Sequence, residues 1–389
     1  MRAALWVAMV GATLVVAAPA AARRNVRGAL GDAPALAGLP ELATPQYRNA
    51  ADAVLKEGVR NMPIHAAGSY AYTYRYDPDC DCYQRATGDF GPWFVTERAE
   101  PIGEGLFGIA VLYGWYDLHG CNDFDRLSFS SGAIDARAGI ERQYSVTTFT
   151  FTYGITRDLD VSLSVPVAWL DFGVNYFARG GTTGGTAFSS QHFTVGPNVM
   201  DMLTRAKYRV FEAGGFTGAL GLQAWLPTGD VADGFGTGEG EVGPYLALST
   251  SQLQGWVDSH WNAGFDVAVT RTQRSSAHYS WGIDVQHPPG SALDRFSLTG
   301  QIVGRSEIAG IATRASVSGP HLNDAGEVVN SPYLCLDPDR HDYVDVILGF
   351  RMRVVRSLVF TFGAFKAVNE GVGVRTHGWS PVAGLEAVF

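Results

Sequence analysis

The sequence predicts an all-β protein, a transmembrane antiparallel outer-membrane β-barrel of about 12 strands preceded by a short helical or irregular N-terminal segment. First, apolar and polar residues alternate with a period of two in about a dozen segments from residue 103 onward. Second, the connections between these segments are alternately short and long, which is typical of outer-membrane barrels. Third, the chain ends on the half-apolar strand WSPVAGLEAVF, although chain ends usually fray in water.

Composition agrees with this fold class. Only 17% of the residues are charged, 12% are aromatic and 47 are glycine, which fits many short strands joined by turns. The net charge of −9 and the lack of a basic patch argue against a nucleic-acid partner.

The first 22 residues have the pattern of a cleaved signal peptide. Arg2 is followed by an uncharged apolar run and then by small residues, with cleavage expected after Ala20 or Ala22. The run is shorter than the ~20 residues that a spanning helix needs. We therefore expect export through the inner membrane and localisation in the cell outer membrane, where membrane lipids surround the barrel.

Residues 23–102 differ from the rest and are predicted to form a periplasmic or lumenal, plug-like segment before a barrel at 103–389. Apolar residues at helical spacing indicate a short amphipathic helix within 41–60. Alternating tyrosines at 66–76 indicate an extra strand or a lumenal stretch. A thirteenth spanning strand would break the even strand number, so we expect this stretch in the lumen or in the periplasm.

The barrel strands are predicted from the alternation. In the segment 159–168, for example, Leu159 and Val161 alternate with Asp160 and Ser162. The predicted strands are 103–116, 143–155, 159–168, 199–210, 215–226, 243–250, 258–270, 278–287, 295–311, 341–353, 357–367 and 379–389. A soluble barrel or sandwich would alternate in the same way with its apolar face inward. The signal peptide, the even strand number and the unequal loops favour the membrane.

The closing strand carries two aromatic residues that we expect at the membrane interfaces. Trp379 begins this strand and Phe389 ends it. Aromatic girdles flank the apolar band of outer-membrane barrels. We expect this strand to pair with the first one and to be the part that the barrel assembly machinery binds.

Charged residues on the polar faces of the strands are candidates for lining the lumen, because Arg or Lys facing lipid would cost ~2–4 kcal/mol at the midplane. Two interpretations stay open: a charged pore that filters solutes, and a lumen that is simply filled by ion pairs. A ladder of Lys207 and Arg209 next to Asp201 could serve either. The candidates are Asp160, Asp201, Arg205, Lys207, Arg209, Asp266, Asp284, Arg305, Asp345, Arg351, Arg353 and Glu386.

The sequence predicts no cofactor and no metal. The acidic, glycine-rich loop 226–244 matches no EF-hand spacing, so a calcium site there is the weaker alternative. Cys121 and Cys335 fall in two long loops on the same side of the barrel, and a disulfide between them is a testable hypothesis. His260 and His278 stand on neighbouring strands, but no G-x-S-x-G motif accompanies them, so we expect no enzyme.

Four stretches of the sequence resemble a family of bacterial outer-membrane proteins that are labelled as transporters and named after a meta-pathway of phenol degradation. The most specific pieces are FGP…ERAEPIG and YGIT-x-x-LDVSLSVPV, and the resemblance spans roughly 65–389. It implies a barrel and passage of small molecules, and it supplies no catalytic or substrate residues. The stretches are 89–113, 144–167, 205–230 and 378–389.

The sequence thus favours a channel or transporter for passive passage of small-molecule solutes, with hydrophobic or aromatic compounds suggested by the resemblance alone. A structural or adhesion barrel with a sealed lumen is the alternative. An outer-membrane lipid hydrolase is a third, weaker one, because it would need a Ser–His–Asp arrangement at the outer face.

Overall fold

The computed structural model describes most of the chain from residue 94 onward and a few short stretches before it. The described ranges are 26–29, 55–56, 58–60, 62, 74–77, 82–85, 94–120, 126–131, 134–180, 185–252, 256–269, 275–286, 293, 295–308, 318–322, 328–332, 342–355, 358–369, 374–376 and 378–389. The predicted signal peptide at 1–22 and both Cys121 and Cys335 lie outside these residues, so cleavage and the disulfide stay predictions.

The described residues contain nineteen strands. In chain order these are β1 (Tyr74–Asp77), β2 (Cys82–Arg85), β3 (Phe107–Gly120), β4 (Arg126–Ser131), β5 (Ile134–Gly154), β6 (Leu159–Gly180), β7 (Gly185–Val199), β8 (Met202–Ala213), β9 (Phe216–Leu226), β10 (Glu241–Gln252), β11 (Val257–Ala268), β12 (Ser276–Gln286), β13 (Phe296–Glu307), β14 (Ser318–Leu322), β15 (Val328–Pro332), β16 (Asp342–Val355), β17 (Leu358–Ala367), β18 (Val374–Thr376) and β19 (Trp379–Val388).

Twelve of these strands form a closed antiparallel ring, which confirms the predicted fold class. The order around the ring is β3-β5-β6-β8-β9-β10-β11-β12-β13-β16-β17-β19, and β19 pairs with β3 to close it. Each predicted strand corresponds to one of the twelve, including the least regular one at 243–250, which is β10. Of the tyrosine stretch at 66–76, the structure describes 74–76, and these residues belong to β1, which pairs with β2 in a separate two-stranded sheet.

Two regions predicted as loops are strands instead. β5 has 21 residues and β6 has 22, so both continue well beyond the length of the other barrel strands. β4 pairs with the extended part of β5, and β7 with the extended part of β6. The expected long loops 117–142 and 169–198 are therefore wrong in these parts, because antiparallel pairing satisfies the backbone groups of β5 and β6 on both sides.

Helical structure is sparse. Residues 26–29, 55–56 and 58–60 are helical, and the last two stretches fall at the end of the predicted amphipathic helix. Within the described parts of the chain, no helix is both long and apolar enough to cross a membrane.

The faces of the ring settle which side is apolar. On neighbouring strands, Leu220 is 56% and Phe265 55% exposed, whereas Lys207 is 1% and Asp266 6% exposed. Apolar side chains thus point outward and charged ones inward, the reverse of a soluble barrel, where the apolar face is buried. An apolar exterior around a polar interior is the arrangement of barrels that span a membrane.

The two ends of the ring differ, and we name them for their connections. The turn end carries the short connections, such as 155–158, 214–215 and 356–357, together with the backbone pairing of Phe107 and Phe389. The loop end carries the long ones, including 227–240. The corresponding parts of the lumen are called the turn half and the loop half.

Candidate functional site

Residues 94–102 lie inside the ring; we call this stretch the lumen segment. Its backbone amides donate to wall side chains: Thr96 N to Gln301 Oε1 at 3.2 Å, Ala99 N to Ser249 Oγ at 2.9 Å and Ile102 N to Asp160 Oδ2 at 2.9 Å. Glu97 N donates to Asn262 Oδ1, and Asn262 Nδ2 donates back to Glu97 O at 2.8 Å. The segment is therefore bound to β6, β10, β11 and β13.

The wall side chains explain how an extended segment can lie in the lumen without a neighbouring strand. Buried backbone N–H and C=O groups need hydrogen-bond partners, and here amide, hydroxyl and carboxylate groups of the wall supply them. Apolar contacts fix both ends: Phe94 packs 6.1 Å from the Phe365 ring, and Ile102 belongs to the same buried cluster. Ala99 packs with Ala219, Tyr245 and Ala247.

Between the lumen segment and β3, the backbone of residues 103–106 lies in close contact with Gly154 of β5. Gly105 N donates to Gly154 O at 2.8 Å, and Leu106 N to Gly103 O at 3.2 Å. A Cβ on Gly154 would lie 1.7 Å from Gly103 O, so only glycine allows this crossing. The segment is thus joined to the turn end by close backbone contact.

Glu97 is the charged centre of the lumen segment. Its carboxylate lies 3.1 Å from Lys207 Nζ and 3.2 Å from Arg205 Nη1, and all three side chains are at most 12% exposed. Lys207 Nζ also lies 3.8 Å from Asp160 and donates to the carbonyls of Arg98 at 2.8 Å and Glu100 at 3.1 Å. A buried ammonium needs such compensation, so Lys207 links the segment to two strands of the wall.

Glu100 stands on the same segment, beside the Arg98 side chain at 3.3 Å. Burial by itself would raise the pKa of its carboxyl, but the charge of Arg98 and other neighbouring groups outweighs burial and lowers that pKa to about 2. Glu100 is therefore an anion throughout the physiological pH range.

Charge pairs fill the turn half of the lumen. Arg351 Nη2 lies 2.6 Å from each carboxylate oxygen of Glu386, and both side chains are at most 2% exposed. Gln286 Nε2 donates to Asp258 Oδ2 at 2.9 Å. His260 contacts Ser249 Oγ at 2.9 Å and Asp284 Oδ2 at 3.6 Å. These groups are buried against the lumen segment and one another.

The loop half contains a cavity of about 190 Å³. Its wall includes Val59 and Arg60 of the helical stretch at 58–60, Met62, Val95 of the lumen segment, and side chains from the ring. Five carboxylates and three guanidinium groups line it, together with His278 and the rings of Trp225, Tyr343 and Phe365. The charged groups are Asp201, Glu239, Glu241, Asp266, Asp345, Arg60, Arg205 and Arg305.

The loop 227–240 folds inward and forms part of this wall. Asp201 holds it, because its carboxylate accepts hydrogen bonds from Gly229 N at 3.0 Å and from Thr237 N and Oγ1 at 2.7 Å each. Phe235 is buried edge-on against Tyr144, with ring centres 6.3 Å apart. Asp201 therefore has a structural role in holding this loop against the ring.

The calcium alternative for this loop gains no support from the geometry. Asp230 Oδ1 accepts the amide of Ala232 at 2.8 Å. Among the residues that the structure describes, no three His, Cys, Asp or Glu side chains are grouped so that they could hold a metal ion.

The predicted lumen-lining residues divide between the two halves. Asp160, Lys207, Asp284, Arg351 and Glu386 belong to the buried groups of the turn half or its border. Those around the cavity are Asp201, Arg205, Asp266, Arg305 and Asp345. Their part in conduction stays a prediction.

The predicted ladder of Lys207 and Arg209 next to Asp201 is wrong. Arg209 lies at the turn end, 2.7 Å from Asp158 and 2.6 Å from Glu212, and is partly exposed. Lys207 is paired across the sheet with Asp160, and Asp201 holds the loop at the opposite end. The three residues are spread along the axis of β8 because each residue of a strand advances ~3.3 Å. Arg353 is close to the turn end too, where its backbone N donates to Arg295 O at 2.8 Å.

Trp379 and Phe389 lie on the outer face, at opposite ends of β19, and are 48% and 53% exposed. Phe389 N donates to Phe107 O at 2.8 Å at the turn end, and Trp379 pairs with Lys366 toward the loop end. Their interfacial role and recognition by the assembly machinery stay predictions.

Sequence reasoning missed the residues that bind the lumen segment. Glu97, Ser249, Asn262 and Gln301 were not proposed as site residues, although Glu97 lies in the quoted ERAEPIG stretch. His278 was considered only for catalysis; its Nδ1 lies 3.1 Å from Asp266 Oδ2 in the cavity wall.

Comparison with protein families supports the resemblance drawn from the sequence. A model of the family described as "Putative MetA-pathway of phenol degradation" matches residues 124–302. This range includes the YGIT hairpin and the stretch at 205–230, and it ends before the closing strand. A comparison with curated protein sequences finds no match.

Several solved outer-membrane barrels are similar in fold. A crystal structure of an outer membrane channel from Pseudomonas putida F1 is 11% identical, covering 75% of this chain and 98% of that chain, with a TM-score of 0.47. The KdgM porin is 7% identical over 72% and 99%, with a TM-score of 0.38. The outer membrane protease OmpT from Escherichia coli is 9% identical over 72% and 97%, with a TM-score of 0.29. Channels and a protease are both among these barrels, and a fold of this kind does not by itself assign a function.

Proposed function

We propose that this protein is an outer-membrane channel for the passive passage of small solutes, and that the lumen segment closes it in the state described here. The observation that carries the proposal is the polar attachment of residues 94–102 across the ring, next to a cavity of about 190 Å³. The resemblance adds hydrophobic or aromatic compounds as solutes, and the charged cavity wall favours those that also carry a polar group.

The lumen segment is attached to the wall mainly by polar groups, which favours a segment that can leave its position. A filling that only stabilised the barrel could be apolar, because replacing a buried ion pair by well-packed apolar residues is often neutral or stabilising. Here the segment is held by hydrogen bonds and by the ion pairs of Glu97 with Arg205 and Lys207. Water can satisfy the same groups once the segment moves, so the separated surfaces remain soluble in a wet lumen.

A locked variant tests this proposal. Ala99 N lies 2.9 Å from Ser249 Oγ, so Ala99→Cys with Ser249→Cys in a chain without the four native cysteines would tie the segment to β10. In planar bilayers we expect the oxidised variant to be silent and the reduced variant to open. Glu97→Gln, which removes the charge between Lys207 and Arg205, should open more often than the wild type.

The outcomes separate the candidate functions. Equal conductance of the oxidised and reduced forms would show that solutes do not pass where the segment lies. Silence of the wild type, the reduced variant and Glu97→Gln would favour the structural barrel, for which the fully buried Arg351–Glu386 pair is the supporting observation. That the chain is no enzyme stays a prediction, which an esterase assay in detergent tests.

A further inference from the structure

The residues that line the cavity in the loop half indicate which solutes the protein binds. The inference below rests on the proposed function. We infer that the cavity binds small, positively charged solutes that donate hydrogen bonds, with an apolar part against the aromatic wall, and that it disfavours anions of the same size. The binding position is the part of the wall formed by Gln223 and Asp266.

The charge of the described wall favours a cation. Five carboxylates face three guanidinium groups across the cavity. Each guanidinium is close to a carboxylate: Arg205 lies 3.2 Å from Glu97, Arg60 3.5 Å from Glu241 and Arg305 3.8 Å from Glu307. An anion would have to compete with these carboxylates, whereas a cation adds a partner to the excess of negative groups. Low-dielectric walls strengthen both effects.

A buried acceptor supplies the second, independent observation. Gln223 is only 3% exposed, and its Nε2 donates to Asp266 Oδ1 at 2.7 Å. That bond fixes the amide, and its Oε1 accepts no hydrogen bond from the described residues although it is buried. A buried, unpaired carbonyl costs free energy, so a solute that donates a hydrogen bond there gains affinity.

Gln223 is placed to meet a solute. It lines the cavity, and it also lines a smaller adjoining pocket of about 40 Å³ that shares Arg205 and His278 with the cavity. The other oxygen of Asp266 lies 3.1 Å from His278 Nδ1, so Asp266 is held on both sides. An amide oxygen and a carboxylate fixed side by side form a position for an ammonium group, which carries only donors.

Aromatic rings complete the site for an organic cation. Trp225, Tyr343 and Phe365 line the cavity, and the guanidinium carbon of Arg305 lies 4.7 Å from the centre of the Tyr343 ring. Ring faces attract cations through their quadrupole, and their edges and faces pack against apolar groups. A small solute with one ammonium group and one apolar part can contact both the Gln223–Asp266 position and the aromatic rings.

Three probes of similar size and different charge test this inference: benzylammonium, benzyl alcohol and benzoate. Isothermal titration of each into the purified full-length protein in detergent should show saturable binding of benzylammonium. Benzyl alcohol should bind more weakly and benzoate not at all. Gln223→Leu should weaken benzylammonium binding about tenfold, as expected for one lost hydrogen bond to a charged group, and Gln223→Glu should strengthen it.

Gln286→Leu is the matched control, because Gln286 is a buried glutamine of the turn half that also donates to an aspartate. It should leave benzylammonium binding unchanged. Binding of benzoate as tight as that of benzylammonium, or equal affinities of Gln223→Leu, Gln223→Glu and wild type, would overturn the inference. Cation binding by a protein that never conducts would remove the proposed function alone, and conductance without this preference would remove the inference alone.

Discussion

The two halves of the lumen are built from the same residue types but differ in packing. In the turn half, Arg351 and Glu386 approach to 2.6 Å and are at most 2% exposed. In the loop half, Arg60 and Glu241 are 3.5 Å apart beside an open volume of about 190 Å³. The turn half is closed by short turns and by the lumen segment, whereas the loop half ends in the long inward loop 227–240.

This difference shows that charged side chains inside one barrel can have different roles. Where both partners are buried and fully paired, the charges hold strands and the lumen segment together, and their loss is a loss of structure. Where they border a cavity, the inference above assigns them a second role, in selecting the charge of a solute. The turn half has the ion pairs of the filled-lumen interpretation, whereas a charged pore through the loop half stays a prediction.

The largest effect is expected in the turn half. Arg351→Met leaves Glu386 as a buried charge without its guanidinium partner, which should cost roughly 3–5 kcal/mol of unfolding free energy. Urea unfolding in lipid vesicles, followed by tryptophan fluorescence, measures this cost. The double variant Arg351→Met with Glu386→Leu should recover most of it, and benzylammonium affinity should not change. A stable single variant would remove the distinction between the halves.

An intermediate and local effect is expected in the loop half. Asp201→Asn replaces the oxygen that accepts both Thr237 N and Thr237 Oγ1. We expect the loss of about 1–3 kcal/mol of local hydrogen bonding, and therefore amide exchange at least about tenfold faster in the loop 227–240. Hydrogen-exchange mass spectrometry checks this, with β16 and β17 as the internal control. Faster exchange throughout the ring would show that the loop is part of the barrel's global stability.

The smallest effect is expected at the rim of the turn end. Arg209 and Asp158 lie 2.7 Å apart, but their side chains are 27% and 43% exposed. Arg209→Gln should cost only about 0–1 kcal/mol in the same urea assay, and high salt should abolish the difference. A cost as large as that of Arg351→Met would mean that exposure does not separate structural from peripheral pairs in this barrel.

The ring could be predicted because alternation is a local property of the sequence. Leu159 and Asp160 already show that β6 has one apolar and one polar face, although the exposed fractions of the side chains were needed to show that the apolar face points outward. The extended hairpin of β5 and β6 could not be predicted in the same way. The residues beyond the predicted strands, 134–142 of β5 and 169–180 of β6, pair with each other and also with β4 and β7, and these pairings are not visible in the local sequence.

The lumen segment marks the limit of sequence reasoning. Glu97 and Arg205 are 108 residues apart, and nothing local to either shows that they meet. The strand pattern predicts Lys207 as a lumen residue, and Asp160 is its neighbour in the strand ladder, but its other partners belong to the lumen segment, outside the ladder. The sequence predicts Asp201 as a further lumen-lining charge, whereas in the structure its carboxylate binds the loop 227–240.

The pairing of Phe107 with Phe389 has a topological consequence. Phe107 N and O are both bonded to Phe389, at 3.0 and 2.8 Å, and Ile102 lies only five residues before Phe107. β3, which closes the ring by pairing with β19, thus follows directly in the chain after the lumen segment that the ring encloses. In a sheet in which β3 and β19 have not yet paired, the lumen segment would be attached to the strand at the open edge. Because the lumen segment leads directly into β3, we expect its enclosure and the closure of the seam to be coupled during assembly.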